Sequence, residues 1–241
     1  MTMTESMTEL VRIIDRPLVR PVSFDVYRDI HKAIRVELFA VVADAGRLDA
    51  SDDCARADLA DQVDALVRLL QQHAEHEDGS ILTPLEQASP ALAARVIVEH
   101  EAVEARMDHL VALAAGLRTV DAAGARAATH QLYLDLAAFT SDYLAHQDLE
   151  ERIIAPVLDA ALGFEGLMGL NNAIVDAIPP QELSAALALM FPAMNIDDRT
   201  ELLGGMKASA PAPVFEATWS LAKSVLTADD SDAVAARLGV Q

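Results

Sequence analysis

The sequence predicts an all-α protein: an up-down-up-down four-helix bundle over residues 22–162, followed by an extension of short helices over 163–241. Three observations predict it. Hydrophobic residues make up 52% of 241 residues, so there is material for a sizeable core. Aromatics are only 4%, and Gly and Pro number ten each, a balance with few strand-favouring and turn-forming residues. Four long segments before residue 163 also carry helix start and stop chemistry at their ends.

The first segment spans about 24–45, with Ser23 as its N-cap after Pro21 and Gly46 as its stop, and contains His31. The second begins after Ser51, places Asp52 and Asp53 where the helix dipole favours acids, and runs to about Gly79. It contains His73 and His76. Ser89 and Pro90 open a third segment that ends near Gly116 and contains His100 and His109. The fourth runs from about Asp121 through Leu158, broken or tilted near Pro156, and contains His130 and His146. Segments of this length reach about 33 Å, and short connections make neighbours antiparallel. Beyond 163, Pro179 with Pro180, Asn195, Pro211 and the acids at 229–232 predict three or four shorter helices. Residues 1–21 read as an N-terminal arm.

Charge and cysteine content narrow the function. Against 38 Asp and Glu stand 18 Lys and Arg, a formal charge of -20, which repels a phosphate backbone and an anionic membrane alike. Nucleic acid and membrane are therefore not expected partners. Cys54 is the lone cysteine, which excludes an internal disulfide and a thiolate cluster within one chain, and reducing cytoplasm is the expected location. The opening residues lack the pattern of a secretory signal, and no window offers the ~18–20 uncharged apolar residues of a membrane span.

Residues 73–84 and 146–156 form a half-repeat: each reads His-x-x-x-Glu, then an acid, apolar residues and a proline. His31 stands upstream of the first and His100 upstream of the second. Positions i and i+4 lie about 40° apart around a helix, so His73 with Glu77, His100 with Glu104, and His146 with Glu150 each project from one face. Two such hairpins facing each other would converge on one centre, where imidazoles serve as neutral ligands and carboxylates bridge two cations. Leu69, Leu70, Ile81, Val96, Ile97, Val103, Leu144 and Ile153 are the expected apolar wall. A single His and Glu pair is more often a surface contact; the phased set asks for a metal.

This order, one His, then His-x-x-x-Glu, repeated, resembles the hemerythrin-like, or HHE cation-binding, family, and the strings at 30–39 and 76–84 add to the likeness. The resemblance implies a non-haem di-iron centre with an oxo or hydroxo bridge, with His31, His73, His100 and His146 as terminal ligands and Glu77 and Glu150 as bridging carboxylates. Glu104 and Glu151 stand where oxygen-carrying hemerythrins place a further His and an Asp. That difference points away from reversible oxygen carriage and towards oxidation or peroxide chemistry, because a carboxylate stabilises ferric iron. Manganese or zinc would suit the same donors, and iron is preferred on the resemblance alone.

Three further residues are expected beside the cofactor: Tyr27 and Tyr143 lining the cavity, and His76 behind the ligands; ordinary packing or solvent contact is the competing role for each. His109 and His130 fall on the far faces of their helices. The expected ligand is a small diatomic molecule or peroxide, in redox sensing or peroxide detoxification, with catalase-like or oxidase activity at the metal pair. A sensor or storage module signalling through the extension, and an oxygenase acting on an organic substrate, are the alternatives. No feature of the sequence marks a protein partner.

Overall fold

A computed structural model of the chain describes residues 19–240, so most of the N-terminal arm lies outside the described residues. Among these the regular structure is entirely helical: α1 (Arg28–Arg47), α2 (Asp53–Ser80), α3 (Leu82–Ala88), α4 (Pro90–Leu117), α5 (Ala125–Leu149), a π turn (Glu150–Ile154), α6 (Ala155–Ala177), α7 (Pro180–Ala193), α8 (Ile196–Ser209), α9 (Ala212–Val225) and α10 (Ala228–Leu238). Helix α1 packs on α2 and α5, and α4 packs on the same two, which closes a ring of four long helices.

The ends differ from expectation where a better cap competes. Asp25, not Ser23, opens α1: its carboxylate accepts from the N–H groups of Tyr27 and Arg28, while the Ser23 hydroxyl is drawn to Asp159. Asp52 caps α2 by accepting from Cys54 and Ala55. Pro90 starts α4 as anticipated, but Ser89 makes no side-chain cap. The stretch between α2 and α4, expected as a connection, folds into the short α3.

The fourth segment is interrupted near Pro156, as the sequence predicts: a π turn over Glu150–Ile154 stands just before it, and Pro156 sits in the first turn of α6. The backbone leaves helical geometry again at Gly163, with φ 62° and ψ -178°, a kink beyond which a further helical stretch runs to Ala177. That conformation is open to glycine and strained for other residues. This run, Ala125–Ala177, contains a stretch with mean hydropathy 1.6, 28% of it buried, and by length and composition it could cross a membrane. Asp159, Glu165 and Asp176 interrupt its apolar end, so the expectation that no window is uncharged over ~18–20 residues holds alongside this composition.

Buried side chains form three clusters. Ile34, Leu38, Val63, Leu70, Leu110, Leu132, Leu136 and Phe139 belong to the first, between the four long helices. The second gathers Tyr27, Ile81, Leu85, Val96, Leu149, Ile154, Leu158, Leu167 and Leu170. The third lies in the extension around Leu187, Phe191, Leu203, Trp219 and Val234. Along each long helix the conspicuous histidine falls between residues of the first cluster and residues of the second: His73 after Leu70 and before Ile81, His100 after Val96 and before Met107. The polar site is therefore a seam between two apolar cores. Ile97, expected in its wall, faces outward at 42% exposure.

In the extension, helices begin at Pro180, Ile196, Ala212 and Ala228, a constant spacing of 16 residues. Helix α7 packs on α9 and α8 on α10, and α7 also seats on α1. Arg28 contacts Asp198 at 3.3 Å and Glu201 at 3.0 Å across this junction, and Lys32 pairs with the buried Asp198.

Candidate metal centre

Four imidazoles, one from each long helix, meet in the seam. Nε2 of His31 lies 3.2 Å from Nε2 of His73, and Nε2 of His100 lies 3.2 Å from Nε2 of His146. Two carboxylates thread between these pairs. Glu77 places Oε1 3.1 Å from His73 Nε2 and Oε2 3.6 Å from His100 Nε2. Glu150 places Oε1 3.1 Å from His146 Nε2 and Oε2 3.4 Å from His31 Nε2. His31, His73, Glu77 and Glu150 thus form one donor group, and His100, His146, Glu77 and Glu150 another, with donor atoms within 4.8 Å of one another in each.

Backbone geometry explains the convergence. His73 with Glu77 and His146 with Glu150 are i, i+4 pairs that share a helix face. Glu150 opens the π turn, and local π geometry is a common way to re-aim a functional side chain.

The outer ring nitrogens fix how the imidazoles are used. Nδ1 of His31 is 3.0 Å from Glu151, Nδ1 of His100 is 2.9 Å from Asp78, and Nδ1 of His146 is 3.0 Å from Glu99. An ionised carboxylate can only accept, so each of these Nδ1 atoms carries the proton and each Nε2 turns a lone pair inward, a tautomer inferred from the bonding pattern. Two lone pairs 3.2 Å apart repel unless a cation or a shared proton sits between them. In addition, Oε1 of Glu77 and Oε2 of Glu150 are buried without a hydrogen bond. Each group offers two inward nitrogens and two carboxylate oxygens, and both orphaned oxygens lie on the His31 and His73 side, a donor set that suits a divalent or trivalent transition metal. The outer carboxylates orient the rings and raise their basicity.

In the metal-free chain protons take the place of cations. Burial opposes ionisation of Glu77, yet the charges of His73, His31 and His100 outweigh it and hold its carboxyl down to about 2. Burial works against charging His146, but Glu150 and Glu99 push it up to about 9. His73 is also raised, burial being outweighed by Glu77. Glu151 is held down to about 2 by His31 and Arg35 against the effect of burial. Desolvation, with the negative charge of Glu77 and Glu150, pushes the phenols of Tyr27 and Tyr143 well above their usual value, so both are neutral.

The structure brings together His31, His73, Glu77, His100, His146 and Glu150 and leaves two expected ligands outside the donor groups. Glu104 is exposed on α4. Its place beside His100 is not used because His100 turns across the seam towards His146 and Asp78. Glu151 grips the outer nitrogen of His31 and the Arg35 guanidinium at 2.8 Å instead of facing the centre. His76 lies 3.2 Å from Glu182 of α7, directed at the extension. Tyr27 and Tyr143 are buried beside the site, with ring centroids 5.1 Å from His31 and 6.0 Å from His146 respectively. His109 and His130 are exposed.

Asp78, Glu99 and Arg35 were missed. A signal existed for Asp78, which follows Glu77 as Glu151 follows Glu150 in the half-repeat. Glu99, immediately before His100, had no counterpart, since the equivalent position before His31 is Ile30.

Two cavities touch the site. One of about 260 Å³ meets Glu77, His100, His146 and Tyr143; another of about 10 Å³ lies beside Tyr27, Ile81, Leu85 and Ile154. No curated protein and no solved structure matches the chain significantly. The profile of the hemerythrin HHE cation binding domain does match, over residues 22–158, the span that supplies all six inward donors. The chain is a member of the hemerythrin HHE cation-binding family.

Proposed function

We propose that this protein holds two non-haem iron ions, oxo- or hydroxo-bridged, and that the pair binds or reacts with O2, H2O2 or NO in redox sensing or peroxide detoxification. We read the ring of long helices as an up-down-up-down bundle and the molecule as soluble and cytoplasmic, with the apolar run Ala125–Ala177 serving as packing surface. One observation carries the reading: Glu77 and Glu150 each belong to both donor groups, which is the arrangement that holds two cations together.

When bound, such an iron pair supplies redox capacity and Lewis acidity to a small oxygen- or nitrogen-containing ligand. His31, His73, His100 and His146 supply neutral donors, while Glu77 and Glu150 balance charge. Glu151, Asp78 and Glu99 keep three rings in one tautomer, with Nε2 directed at the metal site. Tyr27 and Tyr143, both neutral, close the seam against bulk water and keep a phenol proton available near each half.

The test is metal content and reactivity. Aerobic reconstitution with ferrous iron should give two irons per chain by elemental analysis and an oxo-to-iron absorption band. Gas evolution on adding peroxide supports detoxification, whereas bleaching and return of the band with oxygen supports binding. A chain that takes up no transition metal would remove the proposal. The sensor alternative is favoured by one contact: Lys32, next to His31, pairs with Asp198 of the extension, linking the site to α8.

A further inference from the structure

We propose that this protein pairs with a second copy of itself through the outer face of α1, the two helices running antiparallel about a two-fold axis between Phe39 and Ala40. The pairing does not depend on what the metal centre holds. Nine of the eleven residues from Ala33 to Ala43 are apolar. Ile34, Leu38 and Val41 enter the core between the long helices. On the opposite side Val36 is 49% and Phe39 54% exposed, and Ala40 and Ala43 are exposed with them. At about 3.6 residues per turn these four fall within an arc of about 100° that carries no charge between Lys32 and Arg47. A surface helix is polar on the side away from its core, and one that is apolar all round is covered all round. The extension covers the start of this face, where Arg28 and Lys32 engage Asp198. From Val36 onward the face is open among the described residues.

Shape, charge and area point to a second copy as the cover. In an antiparallel pair centred between positions 39 and 40, Phe39 shares a layer with Ala40 of the other copy, and Val36 with its Ala43. Large meets small in each layer, the alternation that lets facing side chains interdigitate. The chain carries a charge of -20, so two copies repel over most of their surface. Helix α1 is the one long helix whose cations outnumber its acids, Arg28, Lys32, Arg35 and Arg47 against Asp29, Glu37 and Asp44, so approach through it costs least. A stable pair needs about 1,200–2,000 Å² in total, more than one helix face supplies, and α5 extends the surface. It lies along α1, with Glu151 at His31 and Tyr133 at Gly46. Its outer side is uncharged over Leu134, Ala138, Ser141 and Ala145, Leu134 being 48% exposed.

The test is the mass of the full chain in solution by sedimentation equilibrium, measured with and without iron. The unaltered protein should have twice the chain mass at micromolar concentration in both states. Phe39→Glu should raise the dissociation constant about a hundredfold or more, because each copy then buries an unpaired charge, with the circular dichroism of the helices unchanged. A second set of variants reads the orientation. Val36→Glu alone and Ala43→Lys alone should each weaken the pair, and the two together should restore it, since only antiparallel helices set position 36 against position 43. Removing residues 1–18 should leave the dimer as it is. A chain that stays monomeric, a dimer indifferent to Phe39→Glu, or a double variant that pairs no better than either single one overturns the proposal. A monomer that pairs only after residues 1–18 are removed overturns it too, and assigns the face to the arm.

Discussion

The two halves of the helical ring, α1 with α2 and α4 with α5, offer the same inward donors in the same order and surround them differently. His31 and His100 each take an outer carboxylate from the opposite hairpin, Glu151 and Asp78 respectively, so each half orients the other. The parallel then stops. His146 has Glu99 behind it, whereas the equivalent neighbour of His73 is Ile30, and no carboxylate contacts His73 Nδ1 among the described residues. Under the proposed metal-pair reading the inner donors are constrained by what two cations require; the groups behind them are free to diverge, and that is where two chemically matched positions become unequal.

The sharpest way to break this parallel is to remove a shared ligand. Glu77→Ala or Glu150→Ala should cost both irons, whereas His73→Ala or His146→Ala should leave the opposite group occupied. Elemental analysis after reconstitution distinguishes two, one and no irons per chain, and equal losses in all four variants would refute the shared role.

Outer-group variants should act less strongly and unequally. Glu99→Gln should weaken iron binding by about 10–100-fold, the usual range for a ligand's outer partner, and competition with a chelator measures it. Ile30→Glu should strengthen the binding at the His73 half if the missing carboxylate is what separates the two.

Acid and base should act in opposite directions on the empty site. His146, raised to about 9, lends the metal-free fold stability that is full below its ordinary value near 6.5 and lost as pH rises through 9. Glu77, lowered to about 2, lends stability present above its ordinary value near 4.5 and lost as pH falls through 2. The metal-free chain should therefore melt highest between about 4.5 and 6.5. Iron must displace the His146 proton, so its apparent affinity should climb about tenfold per pH unit between 6.5 and 9 for each proton released. Calorimetric melting and iron titration across pH read the two effects.

The smallest expected effect tests the kink at Gly163 within α6. Gly163→Ala forces a Cβ into the left-handed region and should cost about 1–2 kcal/mol, seen as a lower denaturation midpoint with iron content unaltered.

Much of the fold was legible because it depends on local chemistry. Asp52 and Pro90 start helices where their side chains dictate, and the half-repeat exposes Glu77 and Glu150 as counterparts. The break near Pro156 was legible as well, since proline lacks the N–H a helix interior needs; that it takes the form of a π turn was not. Ile97 misled because its α4 position lies just outside the face that packs.

What the sequence determined by itself was the helical class and the pairs His73 with Glu77 and His146 with Glu150, since spacing along a helix sets the angle between side chains on that helix; the full set of four histidines and two carboxylates came from the family resemblance. What only the tertiary structure decided was the fate of Glu104, Glu151, Asp78, Glu99 and His76. Spacing says nothing about how a helix is rotated and tilted against its neighbours, and that rotation settles whether a carboxylate meets the inner nitrogen of a ring, its outer nitrogen, or solvent.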